Sequence, residues 1–226
     1  MLPVSTFPTG GRSRQPQGTS TGIPLAEGLP VPEDHESRIL LHICCAPCAT
    51  YPVEHLRRAG LAITGYWYNP NVQPWSEHER RRDSLVGYAA QAALPVVWEA
   101  GYDVIAFMRL LAGHEAQGDR CAICYRLRLA RAAACARRLG ISCFTTTLLI
   151  SPFQDQALIR TAGESAAREQ GVAFLFEDWR SGWPERGRLT RHYGLYQQQY
   201  CGCLYSEFER YTGIPVLAAQ ADNENR

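Results

Sequence analysis

Five short apolar runs alternate with longer segments of helical period, and that alternation limits the fold more than any other feature. The runs are RILLHI from residue 38, LAITGYWY from 61, PVVW from 95, ISCFTTT from 141 and VAFLFED from 172. Each has strand length and is rich in β-branched or aromatic residues. The segments between them read as helices. YPVEHLRRAG has Pro52 near its start and Gly60 as its stop. SEHERRRDSLVGYAAQAAL opens on a capping box of Ser76 and Glu79. DVIAFMRLLAG, CAICYRLRLARAAACARRLG (closed by Gly140) and DQALIRTAGESAAREQG follow, and a last helix is expected after Cys203. Strand and helix in this succession require crossover connections, so the expected fold is α/β: a mainly parallel sheet with flanking helices and a helical C-terminal segment. Ligands of such sheets collect beyond the carboxyl ends of the strands. That edge is expected to gather Cys44, Cys45 and Cys48 after the first strand, and Asn69 and Asn71 after the second. Thr145 to Thr147 would come from the fourth strand and Asp178 from the fifth.

At 226 residues the chain can bury a core that needs no covalent staples. Residues 1–37 are rich in Pro, Gly, Ser and Thr and are expected to form a disordered extension. Residues 38–213 should form a single α/β domain and 214–226 a flexible tail. No apolar run of about 18 residues offers a membrane span. No basic start with an apolar stretch behind it reads as a secretion signal. A cytoplasmic location and no membrane partner are the expectations. In a reducing compartment, clustered cysteines serve as metal ligands or redox catalysts more often than as bridges.

Nine cysteines are present, and seven of them fall in three groups: CCAPC at 44–48, CAIC at 121–124 and CGC at 201–203. Cys135 and Cys143 read as small buried hydrophobes. A structural zinc site takes four thiolates or imidazoles, often from two CxxC pairs. An iron–sulfur cluster also takes thiolates from such short runs plus distant partners. The surplus of thiols over either need leaves room for a second metal or a redox pair. Spacing favours metal over disulfide and does not choose between zinc and iron–sulfur. Cys201 and Cys203 stay open between metal ligation, a strained redox-active disulfide and neither role. Cys121 and Cys124, read as lying at a helix start, would have their thiolates favoured by free N–H groups and the helix dipole.

Every basic side chain is Arg. Six lie between residues 120 and 154 with no Asp or Glu among them, although the formal net charge of the chain is only +1. Such a local field fits a polyanion, while a solvated face in an Arg-rich chain is the plainer explanation on charge alone. Tyr66, Trp67 and Trp75 could stack on splayed bases, although at least one of the rings from Tyr66 to Tyr68 is expected in the core.

Six motifs in order, LLHICCAPC, YWYNPN with SEHERRRDSL, RCAICYRLRLARAA, FTTTLLISPFQ, GVAFLFEDWRSG and YQQQYCGCLYSEFER, resemble the cobalamin-independent epoxyqueuosine reductases, the QueH family, over about residues 39–211. The resemblance implies a Rossmann-like sandwich akin to the nucleotide α-hydrolase (HUP) group. Cysteines would stand where that group has its phosphate-binding glycine loop, and residues 38–213 would be the catalytic domain. The implied substrate is tRNA with epoxyqueuosine at the wobble position of GUN anticodons, those of the Asp, Asn, His and Tyr tRNAs. The implied reaction is its reduction to queuosine, the last step of queuosine biosynthesis, with electrons from an external donor. The implied cofactors are a [4Fe-4S] cluster and a second metal ion close by, expected to be iron, and no cobalamin. A monomer is expected.

On the same basis Cys45, Cys121 and Cys124 are expected to hold the cluster, completed by Cys44 or Cys48, one of which also helps to hold the second metal. Catalytic candidates are Asp178, Cys201, Cys203 and Tyr200. Asp178 could be a carboxylate ligand or proton donor, or no more than a helix cap, and Tyr200 and Tyr205 could be acids or stacking groups. Asn69, Asn71, Arg80, Arg120, Arg126, Thr146 and Arg180 are the candidates for contact with tRNA. Two positions depart from the family pattern. Gln73 stands where the family usually has His in NIHP, and an amide cannot shuttle a proton at neutral pH, so no catalytic acid is expected there. Cys48 stands where relatives carry Asp. Both bind iron, the thiolate being softer. The competing readings are a zinc-stabilised tRNA-binding module, a metal-free thiol oxidoreductase using Cys201 and Cys203, and a tRNA-modifying ATP pyrophosphatase or sulfurtransferase. The last would need a Gly/Ser-rich phosphate loop after the first strand, which CCAPC is not.

Overall fold

The computed structural model describes residues 38–217. The expected extension and most of the expected tail lie outside the described residues. The strands are β1 (Arg38–His42), β2 (Ala62–Trp67), β3 (Val96–Trp98), β4 (Cys143–Thr146) and β5 (Ala173–Phe174). All pairings are parallel, in the order β3-β2-β1-β4-β5. Ile39, Leu40 and Leu41 of the central strand are 1% exposed or less. A strand covered on both faces reads as a continuous apolar run rather than an alternation, as β1 does.

The helices are α1 (Ala46–Arg58), α2 (Trp75–Gln91), α3 (Val104–Leu111), α4 (Gln117–Arg138), α5 (Gln156–Gln170), α6 (Trp183–His192) and α7 (Leu204–Thr212). α1 packs against α2 and α6, and α4 packs against α5. Right-handed crossovers put these two groups on opposite faces of the sheet. The chain steps outward from β1 to β2 and β3, then returns to lay β4 and β5 on the other side of β1. Its direction therefore reverses between β1 and β4, and the crevice that forms there is the usual ligand position of an open α/β sheet.

Four local readings change. α1 begins at Ala46 rather than Tyr51, with Pro47 in its first turn, Pro52 inside it and Cys45 as its N-cap. α2 begins at Trp75 behind Pro74 and has no side-chain cap. Ser76 and Glu79 do not form a capping box, because Glu79 is drawn to His78 and Arg82. α4 begins at Gln117, so Cys121 and Cys124 lie beyond its free N–H groups. In the fifth run only Ala173 and Phe174 pair, and Asp178 lies beyond the strand's end. Thr145 Oγ1 donates to Leu175 O at 2.8 Å as the chain leaves the sheet. α6 was not anticipated, although Pro184 in its first turn and Gly194 just after it carry the usual start and stop signals.

The segment ahead of α7 is fastened over the sheet's carboxyl edge by α2. Arg81 is 2% exposed. Its Nε donates to Glu77 Oε1 at 2.7 Å, Nη1 to Cys201 O at 2.8 Å and Nη2 to Tyr200 O at 3.0 Å. Gln73 N donates to Gly202 O at 2.7 Å, and Gln73 Oε1 accepts from Leu204 N at 3.2 Å. Position 73, where the family pattern has His, thus serves as a fastener for the CGC loop. Gly202 has φ +152°, and a Cβ there would lie 3.0 Å from Asn71 Nδ2 and 3.4 Å from Arg81 Nη1.

Two outcomes follow. A Cβ on Gly163 would fall 2.2 Å from the Phe174 ring. Gly163→Ala should therefore cost about 1–3 kcal/mol and lower the melting temperature in calorimetry, whereas an unchanged midpoint would mean that α5 and β5 are not in close contact. Arg81→Met removes the buried cation beside Glu77 and leaves it the Tyr196 hydroxyl and, at 3.9 Å, Arg80, so a loss of about 3 kcal/mol is expected. Amide exchange at Tyr200–Leu204 should accelerate in that variant, and unaltered exchange would show that the loop is held by other means.

Candidate metal centre

The crevice between β1 and β4 is where the first cysteines sit. Cys44 N donates to Thr147 Oγ1 at 3.0 Å, and the Thr147 hydroxyl donates to Cys44 Sγ at 3.2 Å. Asn69 Nδ2 donates to Ile43 O at 2.9 Å. His42 Nδ1 shares a 2.8 Å hydrogen bond with Thr146 Oγ1. Burial pushes the His42 pKa down to about 3, so the ring stays neutral. The ends of β2 and β4 thus set the turn that presents Cys44. Thr146 is fully buried and acts as a support behind the thiols.

The sulfurs of Cys44, Cys45 and Cys48 all lie within 4.8 Å of one another, a group able to hold a metal ion. Gln198 Nε2 donates to Cys45 Sγ at 2.9 Å. Hydrogen bonds from Cys45 and Cys48 hold the Cys44 pKa well below the usual thiol range. Burial pushes Cys45 up to about 12, and the hydrogen bond to Cys44 pushes Cys48 up. Cys44 is therefore the thiol of the three that ionises most readily, and a bound cation would favour deprotonation of the other two.

Cys121, Cys124, Cys201 and Cys203 form a second set related by charge and not gathered at one point: among the described residues, the group close enough together to hold a metal ion is Cys44, Cys45 and Cys48. Burial first, then these neighbours, push Cys121 up to about 12, and burial pushes Cys124 up to about 11. The lowering expected from a helix start is not found: α4 begins a turn earlier, and burial is the largest influence on both thiols. Cys201 is exposed. Its Sγ lies 3.7 Å from Gln154 Oε1, which also accepts from the Tyr125 hydroxyl at 2.9 Å. All nine cysteines are free thiols.

Arg128 joins the two sets. It is 1% exposed. Nη2 donates to Asn69 Oδ1 at 2.6 Å, and Nη1 approaches Cys124 Sγ at 3.8 Å. Cys124, Cys44 and Cys201 are the acidic groups that act on it, and among the described residues no carboxylate pairs with it. An unpaired buried cation is costly, so Arg128 favours thiolate: it helps to lower Cys44 and works against the effect of burial at Cys124 and Cys201. The donor chemistry is thus thiolate, suited to soft metals and to iron–sulfur clusters. In the sequence Arg128 is one of six arginines of a basic stretch. Its spacing of four from Cys124 and seven from Cys121 puts all three on one helix face, a signal the sequence did carry. Arg81, Gln154 and Gln198 had no such signal, since tertiary contacts alone bring them to the sulfurs.

The remaining candidates are dispersed. The Tyr200 hydroxyl donates to Gln73 O. Asn71 is buried beneath Gly202, with its Oδ1 unpartnered. Asp178 is exposed and chelates Arg180, whose Nε donates to Oδ1 at 2.8 Å and to Oδ2 at 3.0 Å. Arg120 is 3% exposed, ion-paired with Glu209 and set over the Tyr205 ring. The arginines of α4 are therefore not one surface track. Arg120 and Arg128 point inward, while Arg126, Arg131, Arg137 and Arg138 are exposed. Arg80 is exposed beside Tyr196. Tyr66 and Trp67 are core, and Trp75 is 53% exposed. Among the described residues no helix is long and apolar enough to cross a membrane.

The family model described as "Epoxyqueuosine reductase QueH" matches residues 39–209. A protein of that name from Dehalococcoides mccartyi is 35% identical over 174 residues, which are 77% of this chain and 94% of that one. The Thermotoga maritima protein of the same name is 34% identical over 76% of this chain and 91% of its own. The Haemophilus influenzae one is 33% identical over 80% and 76%. A looser likeness, with a TM-score of 0.45 and 12% identity over 68% of this chain and 76% of the other, links it to a predicted subunit of a tRNA methyltransferase from Methanocaldococcus jannaschii. With its cysteine motifs inside the matched span and its relatives aligned over most of their lengths, the chain belongs to the epoxyqueuosine reductase QueH family.

Proposed function

We propose that the protein reduces epoxyqueuosine to queuosine in the anticodon of tRNA, using an iron–sulfur centre held by the thiols around Arg128. The observation that carries this reading is the buried guanidinium of Arg128, faced by thiols of both sets and paired with no carboxylate among the described residues. Cys45, Cys121 and Cys124, with Cys44 or Cys48, would hold a [4Fe-4S] cluster, and Cys44 or Cys48 would help hold a second ion, iron. When bound, this centre supplies electrons singly and a Lewis-acidic position for the epoxide oxygen.

The chain's own groups do the rest. Gln198 donates to sulfur and fixes the thiols of the first set. Arg128 offsets the negative charge that accumulates on reduction. Opening the epoxide to the alkene consumes two electrons and two protons and releases water, with the electrons coming from an external donor. Cys201 is exposed, with Gln154 against its sulfur, and we assign it to proton delivery. Tyr200 has its hydroxyl committed to Gln73, and Asp178 is tied to Arg180, so neither is assigned a step. Arg80, Arg126 and Arg131 are exposed cations available to the phosphates of the RNA loop.

Protein prepared anaerobically should carry about four to five irons per chain and a visible absorbance that bleaches on reduction. It should also turn over tRNA bearing epoxyqueuosine. Cys121→Ala should lose both absorbance and turnover. A colourless protein with bound zinc, inactive after reconstitution with iron and sulfide, would refute the proposal. Affinity for the RNA should fall about tenfold between about 50 and 200 mM salt, and a flat response would remove the exposed arginines from the binding surface.

A further inference from the structure

Beside the thiol centre lies a cavity of about 310 Å³ that the chemistry above leaves unused. Tyr68, Trp75, Trp98 and Tyr102 line it, with Glu79 and Glu99. It opens beyond the carboxyl ends of β2 and β3. Asn69 stands in its wall and also bonds Ile43 O and Arg128, so it borders both the cavity and the residues around the cysteines.

The walls are built in advance. His78 stacks on Trp75 with centroids 5.3 Å apart and planes 19° apart, and Tyr102 meets the Trp75 edge at 4.9 Å. The Tyr102 hydroxyl is anchored to Val72 O at 2.8 Å. Braced from behind, Trp75 still leaves 53% of its surface in solvent, and Trp98 leaves 37%. Open aromatic faces of this kind, grouped around one cavity, mark a binding surface. Their flat rings suit a planar ring system. Arg82 lines the cavity too, 3.8 Å from Glu79 and over the Trp98 ring, and Arg138 lies 3.4 Å from Glu99, so both carboxylates are held in place by cations while their oxygens still accept hydrogen bonds from the N–H-bearing edge of a base. The volume is at the small end for a ligand site and suits one nucleoside.

We propose that this cavity receives one unpaired nucleobase of the RNA loop, a neighbour of the nucleotide being reduced, stacked on Trp75 with its N–H edge toward Glu79 and Glu99. The proposal rests on the RNA-substrate reading and deepens it. Captured there, the flanking base would set the register of the loop and deliver the modified nucleotide to the thiol centre. Base–aromatic stacking of this kind tolerates any base.

The test uses the iron-loaded protein and an anticodon stem–loop RNA, with abasic versions lacking the base on either side of the modified position. Trp75→Ala should keep its iron and bind the intact loop about tenfold more weakly, and Trp75→Phe should recover most of that loss. One abasic loop should show a similar loss with the unaltered protein and no further loss with Trp75→Ala. Equal affinities for all loops would overturn the proposal, as would losses that multiply or a Trp75→Ala protein that binds normally. Displacement of the intact loop by tetramethylammonium would also overturn it and make the cavity a cation cage. A protein that shows the predicted coupling yet never reduces epoxyqueuosine would sink the proposed function and leave the cavity's role standing. A protein that reduces it without the coupling would sink the cavity's role alone.

Discussion

The buried guanidinium of Arg128 is the constraint from which the rest of the site follows. Three arginines are buried near the sulfurs, and Arg128 differs from the other two, because Arg81 and Arg120 have carboxylate partners in Glu77 and Glu209. Arg81 has Glu77 at 2.7 Å, so its charge is met before any thiol ionises. Arg128 has an amide oxygen and sulfur. A cation so placed is tolerable only where the sulfurs carry charge. It bonds the loop after β2 through Asn69 and approaches Cys124 on its own helix, while its charge also acts on Cys44 after β1 and on Cys201 of the CGC loop.

The fold supplies the place for this charge. At the reversal between β1 and β4, α1 begins directly after Cys45, and its first N–H groups face the crevice. In many α/β proteins that position holds a phosphate. Here Thr147 from the end of β4 bonds both the backbone and the sulfur of Cys44, so anionic sulfur occupies the anion-favouring position. α4 packs closely on α5, with its small side chains Ala132, Ala133 and Ala136 buried, and carries Cys121 and Cys124 toward the same edge.

Much of this was legible in the sequence. Strand-length runs and their helical partners fixed the parallel sheet, and the positions of CCAPC, YNPN and FTTT put three of the site's walls at one edge. Local signals failed where tertiary contacts override them. Ser76 and Glu79 have the capping spacing, but Pro74 already opens the helix and Glu79 finds cations nearby. VAFLFED reads as a long strand, yet only two of its residues pair, so Asp178 ends at the surface with Arg180. The arginines of α4 look alike in sequence, whereas burial divides them into an ion pair with Glu209, a counter-charge for sulfur and a solvated face. Charge counting cannot make that division, because it depends on what packs against each helix position.

The most direct measurement is an anaerobic redox titration of an Arg128→Gln variant, followed by electron paramagnetic resonance with an iron count on the same sample. Each added electron increases the negative charge that Arg128 offsets, so removing the cation should make reduction harder. The account predicts loss of iron, or a more negative midpoint potential in the fraction that retains it. Full iron content at an unchanged potential would contradict it.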